Sequence, residues 1–308
     1  MFAAATFANP WRFEANPEVY LLVAFLIGAY LYVVRVIGPS AVPAGQPVIS
    51  RRQIIAFVGA MLLLFTASTW PIHQIGEQYL YSVHMLQHMM LAYFMAPLVL
   101  IATPEWFLRL LVGDGRAYQV VRFMSKPVVA GVVFNLVVMV THIPGVVNTS
   151  TQNGALHYGL HLLLVVTAVL MWMPVVGPFK ELQMGYGGKM IYLFLMSVVP
   201  TIPAGWLTFA EGAVYKHYDQ PVRVWGVSVT DDQQFAGAIM KLGGAVFLWV
   251  LVVFMFFRRF AIEPADANSY RRAEPTPADG MVGHDEQPLT FEAVSEAFDR
   301  TDAPVEQR

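Results

Sequence analysis

Residues 82–104 read SVHMLQHMMLAYFMAPLVLIATP and decide the fold of the chain. The stretch contains no Lys, Arg, Asp or Glu, and its two histidines, His84 and His88, lie in its first turns. An α-helix of about 20 mostly apolar residues is long enough to cross the hydrocarbon core of a bilayer. The stretch therefore predicts a membrane-spanning helix that carries two histidines near one end.

Six further stretches have the same apolar character, so seven spans are predicted in all. They cover residues 18–37, 53–70, 82–103, 127–143, 155–176, 188–209 and 234–257. The chain is 56% hydrophobic and 13% charged, against about 25% charged residues in a soluble domain. Because a helix satisfies its own backbone hydrogen bonds in lipid, the fold class is an all-α, polytopic transmembrane bundle. Pro200 and Pro203 predict a break in the sixth span that can open a cavity.

Positive charge is concentrated in alternate loops. One side carries Arg35, Arg51, Arg52, Arg109, Arg116, Arg122, Lys126, Lys180, Lys189, Arg258 and Arg259, and the other carries Arg12, Lys216 and Arg223. Lys and Arg are enriched in cytoplasmic loops. This distribution predicts a multi-pass protein of the bacterial cytoplasmic (inner) membrane, with its N-terminus outside and its C-terminus in the cytoplasm.

The charge pattern also divides the chain into three regions. Residues 1–17 form an extracytoplasmic segment, residues 18–260 the seven-helix membrane domain, and residues 261–308 an acidic tail. The tail is rich in Pro, Ala, Asp and Glu and poor in large apolar residues. Such a composition predicts a mostly disordered cytoplasmic segment.

Histidines gather on the predicted extracytoplasmic side. His84 and His88 in the third span are matched by His157 and His161 in the fifth, each pair at i,i+4 and therefore on one helix face. His142 ends the fourth span. A single such pair in a helix is more often structural, whereas two pairs at matching depth predict a metal or cofactor site between helices.

Four further residues are candidate auxiliary ligands of that site. Asp231 and Asp232 begin the seventh span, where carboxylates also cap a helix and suit its dipole. Met89 and Met240 offer thioethers, although a lone methionine is more often a packing residue. The chain has no cysteine, so any metal must be held by nitrogen, thioether or oxygen.

Three other functions remain open on the residues alone. Paired histidines can hold a b-type haem for electron transfer, but His84 and His88 lie only about 6 Å apart in depth, too close for two stacked haems. A metal-dependent membrane enzyme would need a general base, for which Glu77 and Glu211 are on the correct side. A transporter would need polar groups throughout the membrane, and the cytoplasmic halves of the spans are apolar apart from Asn135 and scattered hydroxyls.

Several segments, in order along residues 17–257, resemble the CtaG family of cytochrome c oxidase assembly factors. They are the stretch at 82–104, THIPG at 141–145, HYGLH at 157–161, WMP at 172–174 and DDQQFAGAIM at 231–240. The chain departs from the family pattern at Lys241, where an aromatic residue is expected. It is not similar to the single-span, cysteine-bearing copper chaperone that shares the family's name.

The resemblance implies a non-enzymatic membrane factor needed to make active haem–copper oxidase. Its expected cargo is copper, received from the extracytoplasmic side and passed to an oxidase subunit. Expected partners are cytochrome c oxidase subunits, an extracytoplasmic copper chaperone and the lipid bilayer. Nothing in the sequence indicates nucleic-acid binding.

Overall fold

The computed structural model describes residues 9–272 and the isolated positions 291 and 295. Within those residues all regular structure is helical, which confirms the predicted all-α fold class. We number the helices α1 Pro17–Ala41, α2 Arg51–Ser68, α3 Ile72–Gln78, α4 Tyr81–Ala102, α5 Glu105–Val112, α6 Arg116–Met124, α7 Pro127–Thr141, α8 Pro144–Ser150, α9 Gly154–Val176, α10 Tyr186–Thr208 and α11 Val229–Arg259.

Six of these helices, in the described part of the chain, are long and apolar enough to cross a membrane: α1, α2, α4, α9, α10 and α11. The remaining predicted span, the fourth, corresponds to α7, which has 15 residues and is about 22 Å long, short of the ~30 Å hydrocarbon core. It joins α6 at a 70° bend, and the pair makes a seventh span if it is counted as one. The chain is thus a multi-pass membrane protein with six or seven spans.

Side chains that precede several of the helices cap their N-termini. Ser50 and Gln53 form a capping box at the start of α2. Asn153 accepts from the backbone N–H of Leu156 at the start of α9, over 3.2 Å. Ser228 accepts from Asp231 N at the start of α11. These caps satisfy backbone donors that the first helical turn cannot pair internally.

Helix α4 lies at the centre of the bundle and packs against α2, α9 and α11. Spans three and five are therefore adjacent, which the predicted site requires. The core between them contains fully buried large side chains, including Trp172, Met171 and Phe134. Gly237 allows close approach of α11 and α10, because a Cβ there would lie 2.7 Å from Ala204 O.

Two features lie near the middle of the bundle. Helix α10 is interrupted before Thr201, beside Pro200, as the two prolines predict. Lys241, in the middle of α11, donates a hydrogen bond to Thr201 Oγ1 and so has a polar partner within the membrane.

The chain divides into two compact units, residues 1–260 and 261–308. Helical structure continues through Arg272. The disorder predicted for the acidic tail concerns residues that lie largely outside those described, and it stays a prediction.

Candidate metal centre

The two histidine pairs meet where α4 and α9 begin side by side. Ring centroids lie 5.2 Å apart for His84 and His161, 5.8 Å for His84 and His157, and 4.9 Å for His88 and His161. Each pair keeps its rings close along its own helix, at 4.4 Å on α4 and 4.5 Å on α9. The structure thus forms one imidazole cluster from two helices that are distant in sequence.

Glu77, on the short helix α3, places a carboxylate within this cluster. Its oxygens lie 3.1 Å from His84 Nδ1, 2.7 Å from His157 Nε2 and 3.8 Å from His161 Nε2. The side chain is only 17% exposed. Donor atoms of Glu77, His84, His157 and His161 all lie within 4.8 Å of one another, close enough to bind one ion together.

The Glu77 carboxyl stays ionised in this position. Burial by itself raises the pKa of the carboxyl, but the charge of His84 and contacts with His157 outweigh it and hold the pKa well below its usual range. Burial also lowers the pKa of the nearby His73, because it disfavours the charged imidazolium. The cluster therefore combines a carboxylate anion with imidazoles close by.

Several ring nitrogens of the cluster have no hydrogen bond. The Nε2 atoms of His88, His157 and His161 are buried and make no hydrogen bond within the part of the chain that the structure describes. The short contact of His157 Nε2 with Glu77 lacks the alignment of a hydrogen bond. Buried polar atoms in proteins are normally hydrogen-bonded, so these ring nitrogens are available to bind a ligand.

The space at the cluster fits a single ion. A cavity of about 30 Å³ lies among His84, His88, His157 and His161. It is large enough for a water molecule or a metal ion and far too small for a haem macrocycle. A wider vestibule of about 610 Å³, which Glu14, His73, Glu77 and His157 help to line, leads to it from the surface.

Helix α3 is held against α4 by close packing at Gly76. A Cβ at this position would lie 2.2 Å from Gln87 Oε1 and 3.1 Å from the backbone nitrogen of His84. Gln87 is itself buried and donates to Ala67 O at the end of α2, over 2.6 Å. A side chain at position 76 would force Gln87 to move and α3 to shift away from α4, so this glycine allows the close packing that brings Glu77 to the histidines of α4.

The loop between α10 and α11 covers the cluster. Tyr215 donates its hydroxyl to His142 O over 2.9 Å, and His217 Nε2 lies 2.9 Å from Glu77 O, both hydrogen-bonding distances. Gln233 accepts from the backbone N–H groups of Val214 and Tyr215. The loop, α3 and α11 are thereby tied together above the site.

The two predicted carboxylate ligands are engaged in helix caps. Asp232 accepts from the backbone N–H groups of Tyr81 and Ser82, at 2.7 and 3.0 Å, and so caps α4 from a different helix. Asp231 is exposed and accepts from Ser228 at the start of its own helix. Asp232 therefore acts as a positioning residue for the helix that carries His84 and His88.

The other predicted ligands lie beneath the imidazole cluster. His142, Met89 and Met240 line a second small cavity, which His88 shares with the first. His142 is buried and follows the last residue of α7. The predicted set thus occupies two neighbouring cavities, with His84, His157 and His161 at the outer one.

Glu77 is the main site residue that sequence reasoning missed as a ligand. It lies outside the spans, seven residues before His84, in a helix too short to show periodicity. One signal was available, since Glu77 is an acidic residue close in sequence to the histidine-bearing span and on the same predicted side.

Comparison with known proteins agrees with this architecture. A family model described as cytochrome c oxidase caa3 assembly factor (Caa3_CtaG) matches residues 28–261, which is most of the chain and includes the whole cluster. Neither a curated protein nor a solved structure matches. The match confirms the resemblance predicted from the sequence, and the chain belongs to the cytochrome c oxidase caa3 assembly factor family.

Proposed function

We propose that this protein binds copper at Glu77, His84, His157 and His161 and passes it to a subunit of cytochrome c oxidase during assembly. The family is defined by oxidase assembly. The observation that carries the metal part is the convergence of those four donor groups within 4.8 Å. Copper is cargo in this scheme, so the protein turns over no substrate and acts as a donor, not an enzyme.

The donor set favours copper among the first-row metals. Imidazole nitrogen and carboxylate oxygen suit copper(II), and imidazole also suits copper(I). For such sites the affinity order peaks at copper. The chain has no cysteine, so thiolate-bound zinc and iron–sulfur clusters are not alternatives.

The cluster also has properties that suit release of its cargo. The ligand side chains are 8–19% exposed, and the vestibule reaches Glu77 and His157 directly. Partly accessible ligands allow an incoming donor atom to replace them one at a time. A closed tetrahedral site, as in structural zinc centres, would hold its ion too firmly for a donor.

The loop charges support a placement of this site on the outer side of the bacterial cytoplasmic membrane. From there the protein would receive copper from an extracytoplasmic carrier, with the C-terminal tail in the cytoplasm. The oxidase subunit would dock within the bilayer against the exposed apolar faces of the helices.

Metal content and the visible spectrum of detergent-purified protein test the proposal. Wild-type protein should bind copper and show no haem band. The double variant His84→Ala/His157→Ala should lose that copper. His284→Ala, a histidine outside the described residues, serves as the matched control and should retain it.

Cells that lack the chain provide the functional test. Wild type and the His284→Ala control should restore oxidase activity and oxidase copper content, whereas the double variant should not. Normal oxidase copper in cells carrying the double variant would contradict the proposal. So would a strong haem band in purified wild-type protein.

A further inference from the structure

A second cavity of about 30 Å³ lies directly beneath the imidazole cluster. It is lined by Met85, Met89, Met240, His88 and His142 together with apolar side chains. The three methionines are 1–8% exposed. No carboxylate lines this cavity among the described residues, and its polar side-chain atoms are imidazole nitrogens, thioether sulfurs and the Tyr93 hydroxyl.

The tautomer of His142 is fixed by its backbone contact. His142 Nδ1 lies 2.6 Å from Val138 O, and since a carbonyl oxygen only accepts, Nδ1 carries the proton. The Nε2 atom of the neutral ring then presents a lone pair. A charged ring at this buried site would have no carboxylate lining the same cavity to offset it.

The lone pair of His142 Nε2 faces a lone pair of the Met85 thioether sulfur. His142 Nε2 lies 3.4 Å from Met85 Sδ, and thioether sulfur carries no hydrogen. Two acceptors this close have nothing to share except a cation. With bonds of about 2.0 Å to nitrogen and about 2.3 Å to sulfur, two donors at this separation subtend about 100° at a common ion, near the tetrahedral angle.

His88 supplies the third donor and connects the two cavities. Its Nε2 atom is buried and has no hydrogen-bond partner among the residues that the structure describes. Its ring lies 4.4 Å from that of His84 and 6.2 Å from that of His142, between the outer cluster and the inner cavity. An ion at either position is within reach of this side chain.

We propose that His88, His142 and Met85 form a second site that binds copper(I). The thioethers of Met89 and Met240 line the same cavity. This inference rests on the proposed function and adds a second position for the same cargo. Thioether and imidazole ligands select copper(I), whereas the outer site with Glu77 accepts either oxidation state. Supplied as copper(I), an ion moves inward by ligand exchange at His88 without any change in oxidation state.

Copper K-edge X-ray absorption of the full-length protein tests this site. The purified protein is loaded anaerobically with copper(I) in the presence of a competing copper(I) chelator. Because the chain has no cysteine, any sulfur bound to copper must come from methionine. Wild type should hold two coppers per chain and show a copper–sulfur shell at about 2.3 Å.

Matched variants separate the two sites. Met85→Leu, which conserves volume, should lose the sulfur shell and one of the two coppers. Met171→Leu, at a fully buried methionine of the core outside both cavities, should change neither. Protein labelled with selenomethionine, which keeps every side chain in place, should show copper–selenium scattering instead.

The outcomes distinguish this inference from the proposed function. A nitrogen and oxygen shell without sulfur in wild type, or a sulfur shell that persists in Met85→Leu, would overturn the inner site. One copper lost in Glu77→Gln, with no sulfur at any stage, would leave the proposed function standing alone. Copper bound through sulfur and unaffected by Glu77→Gln would keep the inner site and remove the outer one.

Discussion

Helix α9 carries buried polar groups at both ends, but the hydrogen bonding of these groups differs between the two ends. Trp172, near its end, donates its indole N–H to Ala92 O on α4 over 3.0 Å. His157 and His161, near its start, have buried Nε2 atoms that lack a hydrogen-bond partner in the described structure. The hydrogen-bonded end serves helix packing, while the other end presents ring nitrogens that are available to bind a ligand.

The strongest test of this contrast is Glu77→Gln. The substitution keeps the shape of the side chain but removes the charge that faces the imidazoles. We expect copper affinity to fall by roughly a hundredfold or more, because an anionic ligand is lost. Competition titration with a copper chelator measures it. Glu14→Gln, the same change in the vestibule, should leave affinity unchanged, and equal affinities in the two variants would contradict the assignment of Glu77.

A second prediction concerns the position of Glu77 relative to α4. Gly76→Ala introduces a Cβ that would meet Gln87 Oε1 and the backbone of α4, and this should displace α3 and its carboxylate. We expect copper affinity to fall about tenfold to a hundredfold. Gly159→Ala, between the two histidines of α9, has open space around its Cβ and should have no such effect. A loss of equal size in both variants would argue against the packing explanation.

Copper binding should weaken as the pH falls. Imidazole binds a metal only when it is neutral, so protons compete with copper for the ring nitrogens. Glu77 does not contribute to this loss, because its pKa is held well below the usual carboxyl range and it stays ionised. Affinity measured from pH 8 to pH 5 should drop by roughly tenfold or more per unit at the acid end. Copper affinity that does not change with pH would contradict binding through the imidazoles.

A smaller effect is expected from the cap of α4. Asp232→Asn replaces one acceptor oxygen by an N–H donor opposite the backbone N–H groups of Tyr81 and Ser82. We expect a loss of about 1–2 kcal/mol in stability and a several-fold lower copper affinity. Asp231→Asn, exposed on the neighbouring position, is the matched control. Thermal melting in detergent, with and without copper, distinguishes the two variants.

The smallest effect on copper is expected at the other end of α9. Trp172→Phe removes the hydrogen bond to Ala92 O and should lower stability by about 1–2 kcal/mol. Copper affinity should remain within a factor of two, because the change lies remote from the cluster. A large drop in copper affinity would show that the two ends of α9 are coupled.

Much of the fold follows from the sequence because bilayer crossing imposes a strong pattern. Six predicted spans correspond to long helices, and α7 is shorter than predicted because it ends at Thr141 before the turn that carries His142. The α4–α9 contact does not follow from periodicity, since both helices are apolar on every side. It depends on packing around Trp172 and Met171.

The candidate site could be predicted only in part from the sequence. Paired histidines at i,i+4 are visible in the sequence, so His84 and His157 were candidates from the start. The role of Glu77 depends on a glycine contact between a short helix and α4, which no local pattern shows. Asp232 was a candidate ligand because a carboxylate at a helix start looks the same whether it binds metal or caps another helix.

Pulsed electron paramagnetic resonance of the copper(II)-loaded protein can show whether these side chains bind one ion together. Nitrogen couplings report how many imidazoles bind the ion. We expect couplings from three imidazoles in wild type and from two in His157→Ala. A spectrum with one imidazole or none, or one that does not change in His157→Ala, would contradict the claim that Glu77, His84, His157 and His161 hold copper together.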